Sequence, residues 1–319
     1  MHILVTGGAG FLGSWVVDRL AAAGESVVVL DDLSAGRESA LRPSHGNVRF
    51  VRGCARDAAV VDRLVAEASQ VFHLAAVVGV RESLDQSVRA MRVNTEAATV
   101  VFERCAARGV PVLFTSSSEV YGDSEAPHGE DDPLALGSPE RIRGGYACSK
   151  AHSEWLALGL ARERGLRVVV VRLFNVVGPR QSERMVLSRF VRQALAGEPI
   201  TLHGDGSQRR CFADVEEVAR ALVELAGTTA AMGRVVNVGS DRECSVRELG
   251  AMVRGACGVD VPLREIPLLD VFPSGIEEVH CRRPRLERLT AILGWRPSRS
   301  IEEIVARTVA AMRETVAGV

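Results

Sequence analysis

The chain has 319 residues, 47% of them hydrophobic and 25% charged, with a formal net charge of −1. That length suits one large or two fused domains, and the near-zero charge gives no electrostatic case for a nucleic-acid partner or a membrane surface. No apolar run approaches the ~18 residues of a membrane span, and Met1 to Thr6 run straight into a strand pattern, so no leader is expected.

In chain order, Ile3–Thr6 is predicted as a strand and Phe11–Ala23 as a helix. Strands follow at Ser26–Leu30, Val48–Val51, Val71–Leu74, Val112–Ser116 and Arg167–Leu173. Helical patterns lie between them at Ala58–Ala68, Gln86–Arg108 and Tyr146–Arg164. Near-continuous Val/Ile/Leu strands alternating with helices predict an α/β fold, a doubly wound parallel sheet covered on both faces. After Gly178-Pro179 the rhythm breaks into short helices, turns and isolated strands. Asp214–Ala226 reads as a helix and Arg234–Val238 as a strand that returns to the main sheet; the final helix is Ile301–Thr315. The expected division is a dinucleotide-binding domain over 1–174, rejoined by 212–241, and a smaller substrate lobe over 175–211 and 242–319.

The first strand runs into Gly7-Gly8-Ala9-Gly10-Phe11-Leu12-Gly13 and then a helix. Glycines at 7, 10 and 13 allow a tight turn, close approach of a pyrophosphate and packing of the helix on the sheet, with the helix N-terminus facing the phosphate charge. The second strand ends at Asp31-Asp32, where an acid would take the adenosine ribose hydroxyls and repel a 2′-phosphate, favouring NAD over NADP.

The composition contains 38 arginines and a single lysine, Lys150, four residues after Tyr146. On a helix that spacing puts both side chains on one face. A guanidinium cannot replace a compact ammonium, so a lone lysine at the end of Tyr-x-x-x-Lys points to chemistry: Tyr146 as a base, its phenol pKa lowered by the neighbouring cation. The seven cysteines (54, 105, 148, 211, 244, 257 and 281) are scattered without redox or metal-type pairing, which suggests a reduced cytoplasm; the seven histidines form no cluster, so no metal is expected.

The separated motifs, in order, resemble the extended short-chain dehydrogenase/reductase superfamily in its nucleotide-sugar epimerase, dehydratase and decarboxylase branch. They are the glycine loop, His73-Leu74-Ala75-Ala76, Asn94 in Val-Asn-Thr, Thr115-Ser-Ser-Ser-Glu-Val-Tyr-Gly122 and Tyr146-Ala-Cys-Ser-Lys150. Arg172-Leu-Phe-Asn-Val-Val-Gly-Pro-Arg180, Gly204-Asp-Gly-Ser-Gln-Arg-Arg-Cys-Phe212 and Leu293-Gly-Trp-Arg-Pro297 follow. The resemblance implies a Rossmann-type NAD domain, a UDP-sugar substrate under the smaller lobe, and a homodimer. It also implies NAD contacts from Gly7, Gly10, Phe11, Leu12, Gly13, Asp31, Leu74, Ala75, Ala76, Asn94, Tyr146 and Lys150. At Gly53-Cys54-Ala55-Arg56-Asp57 the chain departs from the Gly-Asp-x-x-Asp that usually meets adenine, since Cys54 is not a carboxylate.

Within that branch Ser117 would bond the reacting hydroxyl, and Glu119, preceded by Ser118, matches the UDP-glucuronate decarboxylases. The dehydratases usually carry Asp before that Glu. Arg282, in Cys281-Arg-Arg-Pro-Arg285, matches the decarboxylases' Arg-x-Pro motif and is expected in catalysis and substrate binding. Arg210 would take the diphosphate, Asn175 the sugar-diphosphate, and Ser118 and Arg180 would add substrate contacts. Gly79-Val-Arg-Glu-Ser-Leu84 instead resembles uronate 4-epimerases, with Arg81 placed to meet a carboxylate. The expected activity is decarboxylation of UDP-glucuronate through a 4-keto intermediate to UDP-xylose or the 4-keto pentose. The alternatives are a uronate 4-epimerase, then a 4,6-dehydratase, and in a different class a non-catalytic NAD-sensing protein.

Overall fold

A computed structural model describes residues 1–42, 46–78, 86–140, 144–272 and 282–317, with side chains to 314. Arg81 and Cys281, singled out above, lie outside the described residues.

The first half alternates strand and helix: β1 His2–Thr6, α1 Phe11–Ala22, β2 Val27–Asp31, β3 Val48–Arg52, α2 Ala58–Ala66 and β4 Ala68–His73. Then come α3 Ser87–Arg108, β5 Val112–Ser117, α4 Gly144–Arg164, β6 Val168–Leu173 and the short β7 Val176–Val177. Beyond lie α5 Val186–Leu195, β8 Ile200–His203, β9 Arg209–Cys211, β10 Ala213–Asp214, α6 Val215–Ala226 and β11 Val235–Val238. The last elements are β12 Glu243–Ser245, α7 Val246–Cys257, β13 Leu263–Ile266, α8 Leu268–Val271, α9 Glu287–Leu293 and α10 Ile301–Ala317.

Seven strands form one sheet in the order β11-β6-β5-β4-β1-β2-β3, with every pairing parallel. Such a sheet needs apolar residues on both faces, because helices cover both. The strands supply them by alternation. Ile3, Val5, Val27, Val29, Val169 and Val171 face α1 and α6, while Leu4, Val28, Leu30, Val168 and Val170 face α2, α3 and α4. One boundary differs from the sequence pattern: Ala68, expected at the end of a helix, is drawn into β4 by pairing with His2. Asp57 stops α2 from starting earlier, its carboxylate accepting from the Ala59 and Val60 amides as an N-cap.

A second core lies under α5, α7 and α10, with Leu187, Phe190, Ile200, Leu202, Leu249 and Ile304 all fully buried. In doubly wound sheets, crevices form at the C-terminal ends of the parallel strands.

Candidate active site

The loop after β1 is held by backbone contact. A Cβ on Gly7, whose φ is +73°, would lie 2.7 Å from the Ala75 amide nitrogen, and one on Gly13 would lie 2.1 Å from the Gly7 carbonyl oxygen. The β1 loop, the first turn of α1 and the turn after β4 therefore close on each other with no room for side chains. Gly10 is the N-cap of α1 and provides no side-chain acceptor, and the first turn carries no acid. Its amides are thus left to an anion. Phe11 and Leu12 are partly buried behind it.

Asp31, at the end of β2, accepts from the Ala9 amide at 3.0 Å and the Leu33 amide at 2.9 Å. Burial pushes its carboxyl pKa up, while those two donors pull it down. Across the crevice the Leu74 amide donates to Thr6 O and the Ala75 amide to Thr6 Oγ1. Asn94 pins Val77, accepting from its amide at 2.8 Å and donating to its carbonyl at 3.2 Å and to Ser149 Oγ at 3.3 Å. Its amide is occupied in shaping the wall that carries Ala75 and Ala76. These features fit a dinucleotide: an uncapped helix N-terminus, a glycine cradle and a buried carboxylate at the strand end.

Tyr146 and Lys150 project from α4, whose first turn packs beside the end of β5. The Ser117 side chain lies beside the Tyr146 phenol and favours its ionised form. Lys150 is buried, and its Nζ donates to Thr115 O at 2.9 Å, lying 4.9 Å from the Phe114 ring centroid and 5.9 Å from that of Tyr146. Burial lowers the ammonium pKa to about 8, with Glu154 opposing the shift. For the phenol the expectation is corrected. Its pKa rises, first through burial and then through the charge of Glu119, with only Ser117 pulling it down. Sequence spacing shows the cation but not the desolvation or the carboxylate, and these two dominate among the protein's own groups. His73, fully buried below, shares a 2.8 Å hydrogen bond with Thr6 Oγ1 and is held neutral, its pKa lowered to about 3 by burial and by Lys150.

Glu119 sits in a 3₁₀ turn, Ser118–Tyr121, capped by Ser117, whose Oγ accepts from the Glu119 amide at 3.2 Å. Its carboxylate is gripped by both Nη atoms of Arg282, one bond being 2.8 Å. The arginine is 4% exposed and its Nε is buried without a partner. Ser117, Glu119, Tyr146, Lys150 and Arg282 thus come together at one place, though Arg282 is separated from Glu119 by 163 residues. Ser118 is buried beside them.

The other expected substrate residues are spread. Asn175, with a φ of +30°, follows β6; its carbonyl accepts from the Ala213 amide and its Nδ2 reaches Cys211 O at 3.5 Å. It thereby ties the end of β6 to the segment carrying Arg210, which is half-buried on β9 with Nη1 on Arg209 O at 2.7 Å. Arg180 is not brought to the cluster. Its guanidinium pairs with Asp18 at 2.7 Å, donates to Ser14 Oγ and lies 4.5 Å over the Trp15 ring, on the side of α1. An acid and an aromatic ring on α1 offer that guanidinium a complete set of partners.

Sequence reasoning passed over a buried polar chain beside the cluster. Arg172 on β6 pairs with Glu154 on α4 at 2.7 Å and donates to Tyr121 Oη at 2.8 Å, and Tyr121 donates to Asn237 Oδ1 on β11 at 2.8 Å. A signal was present: the chain has two tyrosines, and Tyr121 is the one other than Tyr146.

Among the described residues no group of His, Cys, Asp and Glu is arranged to hold a metal, and no helix is long and apolar enough to cross a membrane. Residues 3–239 match the NAD-dependent epimerase/dehydratase family. The chain is 32% identical to the UDP-N-acetyl-α-D-glucosaminuronate decarboxylase of Bacillus cytotoxicus, over 98% of this chain and 97% of the relative. It is 37% identical to the UDP-glucose 4-epimerase of Mycolicibacterium smegmatis, over 97% of each. The solved UDP-glucose 4-epimerase of Thermotoga maritima, with UDP-glucose, superposes with a TM-score of 0.89 at 30% identity, covering 99% of this chain and 100% of that one.

Proposed function

Because this chain belongs to the NAD-dependent epimerase/dehydratase family, we propose that it decarboxylates a UDP-linked uronic acid, taking UDP-glucuronate to UDP-xylose or to the 4-keto pentose before it. The observation that carries this reading is the Glu119–Arg282 pair held against Tyr146. An enzyme that only inverts a hydroxyl has no need of a second acid–base group there. The decarboxylase relative supports the same choice.

The glycine loop, Asp31, the Leu74–Ala76 wall, Tyr146 and Lys150 would hold NAD, which supplies the oxidising and reducing chemistry at C4 of the sugar. Ser117 and Tyr146 would grip the C4 hydroxyl between them, and Tyr146 would take its proton. Lys150, fixed on Thr115 O, would hold the phenolate through its charge. Oxidation makes the C5 carboxylate a β-keto acid. The C5–C6 bond then breaks, carbon dioxide leaves, and the electron pair moves onto the C4 oxygen. Glu119, held as a carboxylate by Arg282, would order a water that passes a solvent proton to C5, and the same guanidinium would face the departing carboxylate. Arg210 and Asn175, tied together across β6 and β9, would meet the diphosphate. A homodimer belongs to the same reading, supported by Trp155, which is 68% exposed on α4.

Mass analysis after incubation with UDP-glucuronate, and in parallel with UDP-N-acetylglucosaminuronate, tests the proposal. Loss of carbon dioxide is expected. An isomer of unchanged mass would establish the second reading, a uronate 4-epimerase; the Mycolicibacterium relative, a UDP-glucose 4-epimerase, supports the epimerisation alone. Tyr146→Phe should abolish either product.

A further inference from the structure

Asn237 lies on β11, remote in sequence from every residue assigned to the chemistry, and is fully buried. Its carboxamide is bonded at both ends. Oδ1 accepts from Tyr121 Oη at 2.8 Å, and Nδ2 donates to His128 O at 3.0 Å and to Arg285 O at 3.4 Å. Its backbone amide donates to Glu130 Oε1 at 2.9 Å.

Those partners belong to two different pieces of the site. Tyr121 closes the same one-turn helix that presents Glu119. His128 and Arg285 belong to a two-sided bridge. The His128 amide donates to Arg283 O at 2.8 Å, the Arg285 amide donates to His128 O at 2.7 Å, and Pro284 sits opposite His128. Arg282 is the residue at the head of that segment. One side chain on β11, the edge strand paired to β6, therefore ties the backbone that carries Glu119 to the backbone that carries Arg282. The same chain of contacts runs on through Arg172 and Glu154 to α4, the helix of Tyr146 and Lys150.

We infer that Asn237 is a positioning residue for the second half of the reaction, setting Arg282 against Glu119 through its bonds to Tyr121, His128 and Arg285. The inference rests on the decarboxylase reading, and it assigns Asn237 no contact with the sugar. A buried amide that bridges two segments transmits its geometry because the interior is close-packed and the alternative is an unsatisfied polar group. Displacement of a catalytic group by an ångström is enough to slow a step markedly.

The test uses the full-length holoenzyme with Asn237→Asp, which keeps the acceptor for Tyr121 and loses both donated bonds, and with Tyr121→Phe, which cuts the tie between Asn237 and the Glu119 turn together with the bond that Tyr121 accepts from Arg172. Absorbance of the bound cofactor reads the oxidation at C4, and labelled carbon dioxide reads the loss of C6. Carbon dioxide release is expected to fall roughly ten- to a hundredfold in kcat with KM near that of the parent, while oxidation proceeds, so that reduced cofactor accumulates. A simple packing defect would depress both steps together and lower the melting temperature; that outcome, or unchanged release in both variants, overturns the inference. If Asn237→Asp does not fold, Tyr121→Phe decides alone. Parent enzyme that oxidises the sugar but releases no carbon dioxide overturns the functional reading, and this inference with it; parent enzyme that releases it while both variants behave like the parent overturns the inference alone.

Discussion

Replacing Glu119 by alanine removes the carboxylate from a guanidinium that is 4% exposed and whose Nε has no partner. Both remaining Nη groups lose a charge-assisted acceptor at once. Breaking a buried ion pair by deleting one member costs about 3–5 kcal/mol, because the other charge stays desolvated. Here the Glu119 side chain is 21% exposed, so water can enter the space it leaves. That brings the expected loss down to about 2–3 kcal/mol. For a chain of this size each kcal/mol shifts the melting temperature by roughly 2 °C, giving a fall of about 4–6 °C. The Glu119→Ala, Arg282→Leu double variant removes the stranded charge along with its partner and should recover at least ~1 kcal/mol of that loss. Thermal and urea denaturation of the two single variants and the double variant measure this cycle. The single variant should also keep its NAD affinity while losing most turnover. The reasoning fails if Glu119→Ala is as stable as the parent, or if the double variant is destabilised by the full sum of the singles.

Gly13→Ala should abolish NAD binding and cost several kcal/mol, since the new methyl would meet backbone rather than a yielding side chain; tight NAD retention on a desalting column by this variant would contradict the cradle. For Lys150 the folded pKa of about 8 lies below the usual lysine value near 10.4. The unfolded chain therefore binds more protons between those values, so stability is full above the upper one and is lost as pH falls through the lower. Lys150→Met should cancel that pH dependence, worth up to about 3 kcal/mol, and parallel urea midpoints for parent and variant at pH 7.5 and 10 would disprove it. Arg180→Ala should weaken the attachment of the 178–180 turn to α1 and lower the melting temperature by about 2–4 °C, yet leave KM for the UDP-sugar within twofold. A large rise in KM would return Arg180 to the substrate site.

The parallel sheet was legible because its signal is local. Each strand is a short β-branched run, and each covering helix has a 3.6-residue apolar rhythm, so both types can be read without knowing what touches what. The cofactor crevice was legible for a related reason: Gly7, Gly10, Gly13 and Asp31 lie within one β-α-β stretch. The pairing of Glu119 with Arg282 was not, because nothing in a window of sequence links residues so far apart. Arg180 shows the opposite difficulty. In a chain with 38 arginines, motif position alone did not distinguish a substrate contact from a cation stacked on Trp15. The direction of the Tyr146 shift was hidden too, since desolvation depends on packing around the ring and not on the residue four positions along.

The scarcity of lysine has a practical side. Apart from the chain's α-amino group, Lys150 is the sole primary amine in the molecule. Protein grown on nitrogen-labelled lysine would therefore show one ε-ammonium resonance, arising from the side chain at the centre of the pocket. Amine-directed reagents would have one internal target, protected for as long as the fold stays closed around it. The native composition itself installs a single-site reporter, able to follow cofactor loading and substrate arrival without a label being engineered in.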